Sequence, residues 1–237
     1  MQVSTIVAVP NRLLAALPRS EYQRLKPLLE LVDMEFGSTL YEPYARIRYV
    51  YFPNDGLVSL LTSVDAERAA EVGLVGSEGM VGIPVALGIG VSPFLAVVQG
   101  AGTAMRMKTA DFRREFARSP VLQRELFSFT HLLMTQVAQT AACNRFHVVT
   151  QRMARWLLMT RDRVNAREFR ITQEFLARML GVRRVGVTEA AGALQAQKLI
   201  RYSRGTLSIL DPKGLSAAAC GCYKVVKDIY AKAQPRS

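Results

Sequence analysis

Two arginines, a threonine and a glutamate crowd the start of "GVRRVGVTEAAGAL", residues 181–194. A guanidinium can hold a phosphate or reach two acceptors on a guanine edge, and a carboxylate can accept from cytosine N4. Such chemistry needs the side chains on the exposed end of a helix whose other face is anchored. Residues 171–180, "ITQEFLARML", read as a first short helix capped by Thr172 and burying Phe175, Leu176, Met179 and Leu180. Gly181 supplies a left-handed residue where that helix stops. Ala177 is small where two helices would cross, and Val187, Ala190, Ala191 and Leu194 give the second helix its apolar face. This spacing is that of a helix-turn-helix. With Val187 inward, Arg184, Val185, Thr188 and Glu189 fall on exposed or flanking faces. "QKLIRYSRGTLSILDP", residues 197–212, follows as two short strands around Arg204-Gly205. A hairpin there is a wing, with Arg201 and Arg204 toward a phosphate backbone.

Charge agrees with that chemistry. The 237-residue chain carries a formal net charge of +12, and residues 147–237 hold 17 Lys and Arg against 6 Asp and Glu. Nearly all the excess is therefore local to the two-helix corner, as a polyanionic partner requires. A basic membrane-surface protein is the rival reading, but it needs a broad apolar face opposite the charges. An enzyme is a second rival. No G-x-x-x-x-G-K-[ST] or G-x-S-x-G occurs, and "GIGVSPF" is not a dinucleotide fingerprint. His147 lies four residues after Cys143, a spacing that helix ends produce by chance. The remaining cysteines, Cys220 and Cys222, are C-x-C, and with only two histidines, His131 and His147, no zinc spacing emerges. Reduced structural cysteines and no metal or other cofactor are expected, in a cytoplasmic protein without a signal peptide. The uncharged run between Glu78 and Arg106 contains six glycines and two prolines, which suits buried strands and turns better than a membrane helix.

The elements that must carry this corner can be read upstream. Half the residues are apolar, enough for one large domain or two small ones. Asn11 can cap a short helix before Pro18, and Ser20 with Gln23 forms a capping box for the next. "YVYFPNDGLVSLLTS" predicts a hairpin about Asn54-Asp55-Gly56, and further short strands over 69–107 predict a small barrel or sandwich. Thr109 is a candidate cap for a helix, and Ser119-Pro120 opens a long helix running to about Asn144. Its stripe Leu122, Leu126, Phe129, Leu133, Val137 is either core against the barrel or a seam against a second copy.

Over nearly its whole length the chain resembles the Crp/Fnr family of transcription regulators, most closely in "ITQEFLARMLGVRRVGVTEAAGALQAQKLI" and "GTLSILDPKGL". The resemblance implies an α+β fold: a cyclic-nucleotide-binding-like jelly-roll barrel over 1–108, a linker and dimerisation helix over 109–146, and a winged helix-turn-helix over 147–237. It implies a homodimer on a two-fold site in double-stranded DNA, RNA polymerase as a further partner, and the Leu122–Val137 stripe as the dimer seam. The DNA-contacting set becomes Thr172, Gln173, Arg183, Arg184, Val185, Thr188, Glu189, Arg201 and Arg204. Arg184 matches the arginine that contacts guanine in cyclic-AMP-dependent members. Arg183 stands where a serine often opens the recognition helix, Val185 where a glutamate usually reads a base, and Glu189 replaces a later arginine. The family's usual target is therefore not transferred. "GSEGMVG" retains the ribose-gripping Glu78 and Gly79, but Phe94 and Leu95 stand where an Arg-Ser or Arg-Thr pair would neutralise a cyclic phosphate. A buried phosphate without its cation is very costly, so an effector pocket over Glu78, Gly79, Phe94 and Leu95 is not expected to take cyclic AMP or cyclic GMP.

Overall fold

The computed structural model describes residues 9–63, 65, 69–164 and 168–232. Two short helices open it, α1 (Arg12–Ala15) and α2 (Arg19–Leu25). Asn11 caps α1 by accepting from Leu14 N, as expected, and its amide also donates to Pro53 O and Gly79 O, pinning the segment to the barrel. The capping box at Ser20 does not form. Pro18, with φ −53°, is the residue before α2, and Ser20 lies inside the helix.

Seven strands follow: β1 (Glu30–Met34), β2 (Thr39–Tyr41), β3 (Tyr49–Pro53), β4 (Leu57–Ser63), β5 (Ala69–Val75), β6 (Leu95–Gly100) and β7 (Gly102–Lys108), with α3 (Ile83–Ala86) between β5 and β6. They form an antiparallel sheet in the order β1-β7-β3 and another in the order β2-β6-β4-β5. The predicted hairpin about Asn54-Asp55-Gly56 is a corner instead. β3 pairs with β7 and β4 with β5 and β6, so the turn carries the chain from one sheet to the other. Asp55 secures it by accepting from Thr103 N at 2.7 Å and from Thr103 Oγ1 at 2.9 Å. Between the sheets lie Val50, Phe52, Val58, Val75, Ala96, Val98 and Met107, all essentially without solvent contact.

α4 (Thr109–Arg118) follows β7. Its cap position is Lys108; Thr109 is already helical and donates its hydroxyl to Ile47 O. α5 (Pro120–Phe146) opens as predicted, with Ser119 accepting from Leu122 N at 3.0 Å. Leu122, Leu126, Phe129 and Leu133 are buried in the same core as the barrel, and Val137 is half-buried. Gly79 has no side chain where the Phe129 ring sits, and a Cβ there would overlap that ring. Four residues of the stripe assigned to a dimer seam thus pack against the chain's own barrel.

The C-terminal module comprises α6 (Val149–Val164), β8 (Glu168–Arg170), α7 (Gln173–Leu180), α8 (Arg184–Ala196), β9 (Ile200–Ser203), β10 (Thr206–Ile209), α9 (Pro212–Ala218) and α10 (Cys222–Lys232). The small antiparallel sheet has the order β8-β10-β9. Met153, Leu157, Leu176, Val187, Leu194, Leu207 and Leu215 make its core, which continues without a break into Leu57, Leu61, Leu74, Leu95 and Val97 of the barrel. Among the described residues no helix is long and apolar enough to cross a membrane. The uncharged run after Glu78 folds as α3, β6 and β7.

Candidate nucleic-acid interface

α7 and α8 meet through the features read from sequence. Thr172 accepts from Phe175 N at 3.1 Å, and Gly181 is left-handed at φ 60°, ψ 43°. Val182 N donates to Ala177 O and Gly181 N to Arg178 O, closing the end of α7 in one turn. Ala177, Val187, Ala190, Ala191 and Leu194 are buried between the helices and α6. Burying that face leaves the other face of α8 outward. Arg183, Arg184, Val185, Thr188 and Glu189 are all exposed. Val185 stands out: an aliphatic side chain 60 % exposed at the tip of a helix has no packing role in the isolated chain.

Two details prepare this tip for anions. Arg183, in the cap position, has an extended backbone and supplies no side-chain acceptor, so the first N–H groups of the 13-residue α8 stay open. Gln173, at the start of α7, accepts from Arg184 Nε at 3.3 Å and from Thr188 Oγ1 at 3.2 Å. One amide oxygen thus holds two side chains of the neighbouring helix to one side.

The wing stands beside them. Arg204 and Gly205, at φ 49° and 77°, make the two-residue turn between β9 and β10 with both central residues left-handed, the geometry that matches strand twist. Tyr202 holds the wing to the helices, donating its hydroxyl to Ile171 O at 2.7 Å while its amide donates to Gln195 Oε1 at 2.7 Å. Arg201 and Arg204 are exposed. Thr172, Gln173, Arg184, Arg204 and Gly205 line a single open cleft of about 600 Å³ between helix and wing. Arg183, Val185, Thr188, Glu189 and Arg201 do not line it.

The four expected effector residues lie in different surroundings. Glu78 is ion-paired with Arg163 of α6 at 2.8 Å, and the guanidinium lies over the Tyr230 ring at 5.0 Å. Gly79 is covered by Phe129. Leu95 faces the C-terminal module's core and Phe94 the barrel's own. The two clefts that Glu78 borders include neither Phe94 nor Leu95. The carboxylate that would grip a ribose already has a cationic partner, supplied by the C-terminal module.

Three features escaped the sequence reading. Cys143, His147, Cys220 and Cys222, read as unrelated, lie together. Glu71 is buried at the junction of barrel and α6, its Oε2 2.8 Å from Ser59 Oγ and accepting from Trp156 Nε1 at 3.2 Å. Burial, the dominant cause, raises its carboxyl to about 7 against the pull of these neighbours and of Arg155 and Arg163. Finally, α5 has a second stripe. Phe127, His131, Met134, Ala138 and Ala141 alternate steps of four and three and are all exposed.

Residues 151–218 match the Crp-like helix-turn-helix domain family. No curated protein matches the chain. Among solved structures, a putative Crp/Fnr-family transcriptional regulator from Eubacterium rectale superposes with a TM-score of 0.68 at 16 % identity, over 85 % of this chain and 94 % of that one. The c-di-GMP responsive global regulator of Xanthomonas campestris gives 0.67 at 17 % identity, over 81 % and 99 %. A Crp/Fnr-family regulator from Thermus thermophilus gives 0.66 at 22 % identity, over 80 % and 98 %. Over about four-fifths of its length the chain has their fold, and its exposed helix tip and wing lie in the segment matched to the helix-turn-helix domain. Residues 151–218 are thus similar to the Crp-like helix-turn-helix domain, and the chain has the fold of these Crp/Fnr-type regulators.

Proposed function

We propose that the protein acts in the cytoplasm as a homodimer that places α8 of each copy in successive major grooves of a two-fold DNA site and works together with RNA polymerase. The observation that carries this reading is the tip of α8: exposed Arg183, Arg184, Val185, Thr188 and Glu189, with Arg184 and Thr188 held by Gln173 and the wing arginines alongside. Arg183, nearest the turn, holds phosphate together with the open N–H groups of α8. Arg184 and Glu189 read base edges, and Val185 is placed for a thymine methyl. Thr172, Arg201 and Arg204 fix the backbone on either side.

The two copies meet along α5 through Phe127, His131, Met134, Ala138 and Ala141. Alternating steps of four and three keep one face toward a partner helix over four turns, and small residues at 138 and 141 allow close approach. The sensor barrel does not take a conventional cyclic nucleotide, since Glu78 is already bound to Arg163 and no arginine stands at Phe94 or Leu95. Selection of bound sequences from random duplex DNA by the full chain tests the reading. A two-fold consensus with half-sites about one helical turn apart is expected; enrichment of a single unpaired half-site, or of none, would overturn it.

A further inference from the structure

Cys143 ends one segment of the molecule and Cys220 and Cys222 begin another. Cys143 lies in the last turn of α5, with His147 following as the residue that ends that helix. Cys220 and Cys222 flank the turn into α10. The donor atoms of all four lie within 4.8 Å of one another. Cys143 Sγ and Cys220 Sγ are 3.4 Å apart, and Cys222 Sγ and His147 Nδ1 are 3.6 Å apart. A tetrahedral zinc ion, with sulfur at about 2.3 Å and nitrogen at about 2.0 Å, requires edges of roughly 3.5–3.8 Å between its ligands. The four donors therefore stand close to a coordination shell before any ion enters.

The surroundings fit an anionic centre. The three sulfurs are buried, and they form a cluster of their own rather than joining either large core. Gln139 Nε2 donates to Cys222 Sγ at 3.0 Å, an outer hydrogen bond of the kind that orients a thiolate ligand. Arg152 and Arg155 of α6 both act electrostatically on Cys143. Arg155 is 7 % exposed, and the Nε of each arginine is buried without a hydrogen-bond acceptor. Among the described ion pairs neither guanidinium has a carboxylate partner. Three thiolates and a neutral imidazole around a divalent cation carry one net negative charge, which one buried and one half-buried cation nearby would offset.

We propose that Cys143, His147, Cys220 and Cys222 form a Cys3His site for one zinc ion, which ties the end of α5 to the start of α10. A closed shell of three sulfurs and one nitrogen suits zinc in a structural role. On binding, the thiols lose their protons to solvent, with no change of oxidation state. The ion staples the C-terminal module to the long helix at the corner where that module begins. This assignment stands independently of which bases α8 reads.

Cobalt(II) added alone to the reduced full chain tests it. The expected result is about one ion per chain, with intense visible absorption of tetrahedral geometry and thiolate-to-cobalt charge transfer, both abolished by zinc. Cys222→Ser should weaken binding by about 100-fold or more, and His147→Ala should shift the visible bands as water takes its place. Chelator should lower the melting temperature of the zinc-loaded wild type and leave Cys222→Ser unchanged. Should the serine variant not fold, the wild-type spectrum alone decides. A six-coordinate cobalt spectrum, or no uptake by protein whose thiols are shown reduced, overturns the assignment. So does a Cys143–Cys220 disulfide that persists through reduction and blocks uptake.

Discussion

Arg184 and Arg183 are neighbours with the same side chain, and the structure gives them different surroundings. Arg184 is held toward α7 by Gln173, whereas Arg183 sits at the mouth of α8 where backbone N–H groups already favour an anion. Arg184→Ala should therefore cost ~1–3 kcal/mol on the best site and relax the preference at one base pair of each half-site. Glu189→Ala should act in the same way at another base pair. Arg183→Ala should weaken binding equally on every sequence and flatten the salt dependence by about one unit of slope. Fluorescence anisotropy on selected and random duplexes, at several salt concentrations, separates the two. If all these variants weaken both duplexes equally, α8 is docked on the backbone and reads no base. The placement of these residues was open to inspection of the sequence because it is local: a cap, a glycine, an inward valine and the charges between them. Gln173 was placed among the contacts for the same reason, but its hold on Arg184 and Thr188 depends on how two helices cross and could not be read.

At the scale of the element, α5 carries two apolar stripes a fraction of a turn apart. Leu122, Leu126, Phe129 and Leu133 are the richer one, and they are used by the barrel; Phe127, His131, Met134, Ala138 and Ala141 face outward. Charging the outward face with Met134→Glu and Ala138→Glu should give folded monomers by sedimentation and a large loss of specific DNA binding, because two half-sites can no longer be held together. Leu126→Ala should instead destabilise the fold by about 2–5 kcal/mol, the cost of emptying a fully buried site, whatever the oligomeric state. A dimer that survives the double glutamate change would place the seam elsewhere. The length of α5 and its Ser119-Pro120 start were legible in sequence, since caps and prolines act within a few residues. The phase was not. A helix with two faces in use shows both stripes at once, and only the barrel's position decides which is covered. The turn at Asn54-Asp55-Gly56 misled in a related way: its residues favour a tight turn, but the partner of β3 is β7, far along the chain.

Across the whole molecule, barrel and DNA-binding module share one continuous core and a buried polar network that no local pattern announces. Ser59 Oγ lies 2.8 Å from Glu71 Oε2 and 2.5 Å from Gln99 Oε1, yet a hydroxyl has one proton to give. Gln99 Nε2 donates to Thr160 Oγ1, and Thr160 donates to Trp156 O, so both are oriented by α6. With its amide nitrogen committed there, Gln99 turns its oxygen to Ser59, which must donate to it. Glu71 then completes the chain by donating to Ser59, which requires a protonated carboxyl. Its raised value of about 7, dominated by burial, has the same sense. The linkage follows in sign. Below about 4.5 the group is neutral in both folded and unfolded chains and carries no penalty; between there and about 7 the unfolded chain loses the proton while the folded one keeps it. Stability should therefore fall as pH rises through this window, by up to roughly 3 kcal/mol, and level off above it. Glu71→Gln removes the titration, although its amide can serve only one of Ser59 and Trp156, which both meet Oε2. Apart from a constant offset, the variant should show a flatter dependence than the wild type in denaturant melts from pH 5 to pH 8. Equal slopes for the two proteins would mean that Glu71 stays in one protonation state throughout and that the barrel and the DNA-binding module are not joined by a proton.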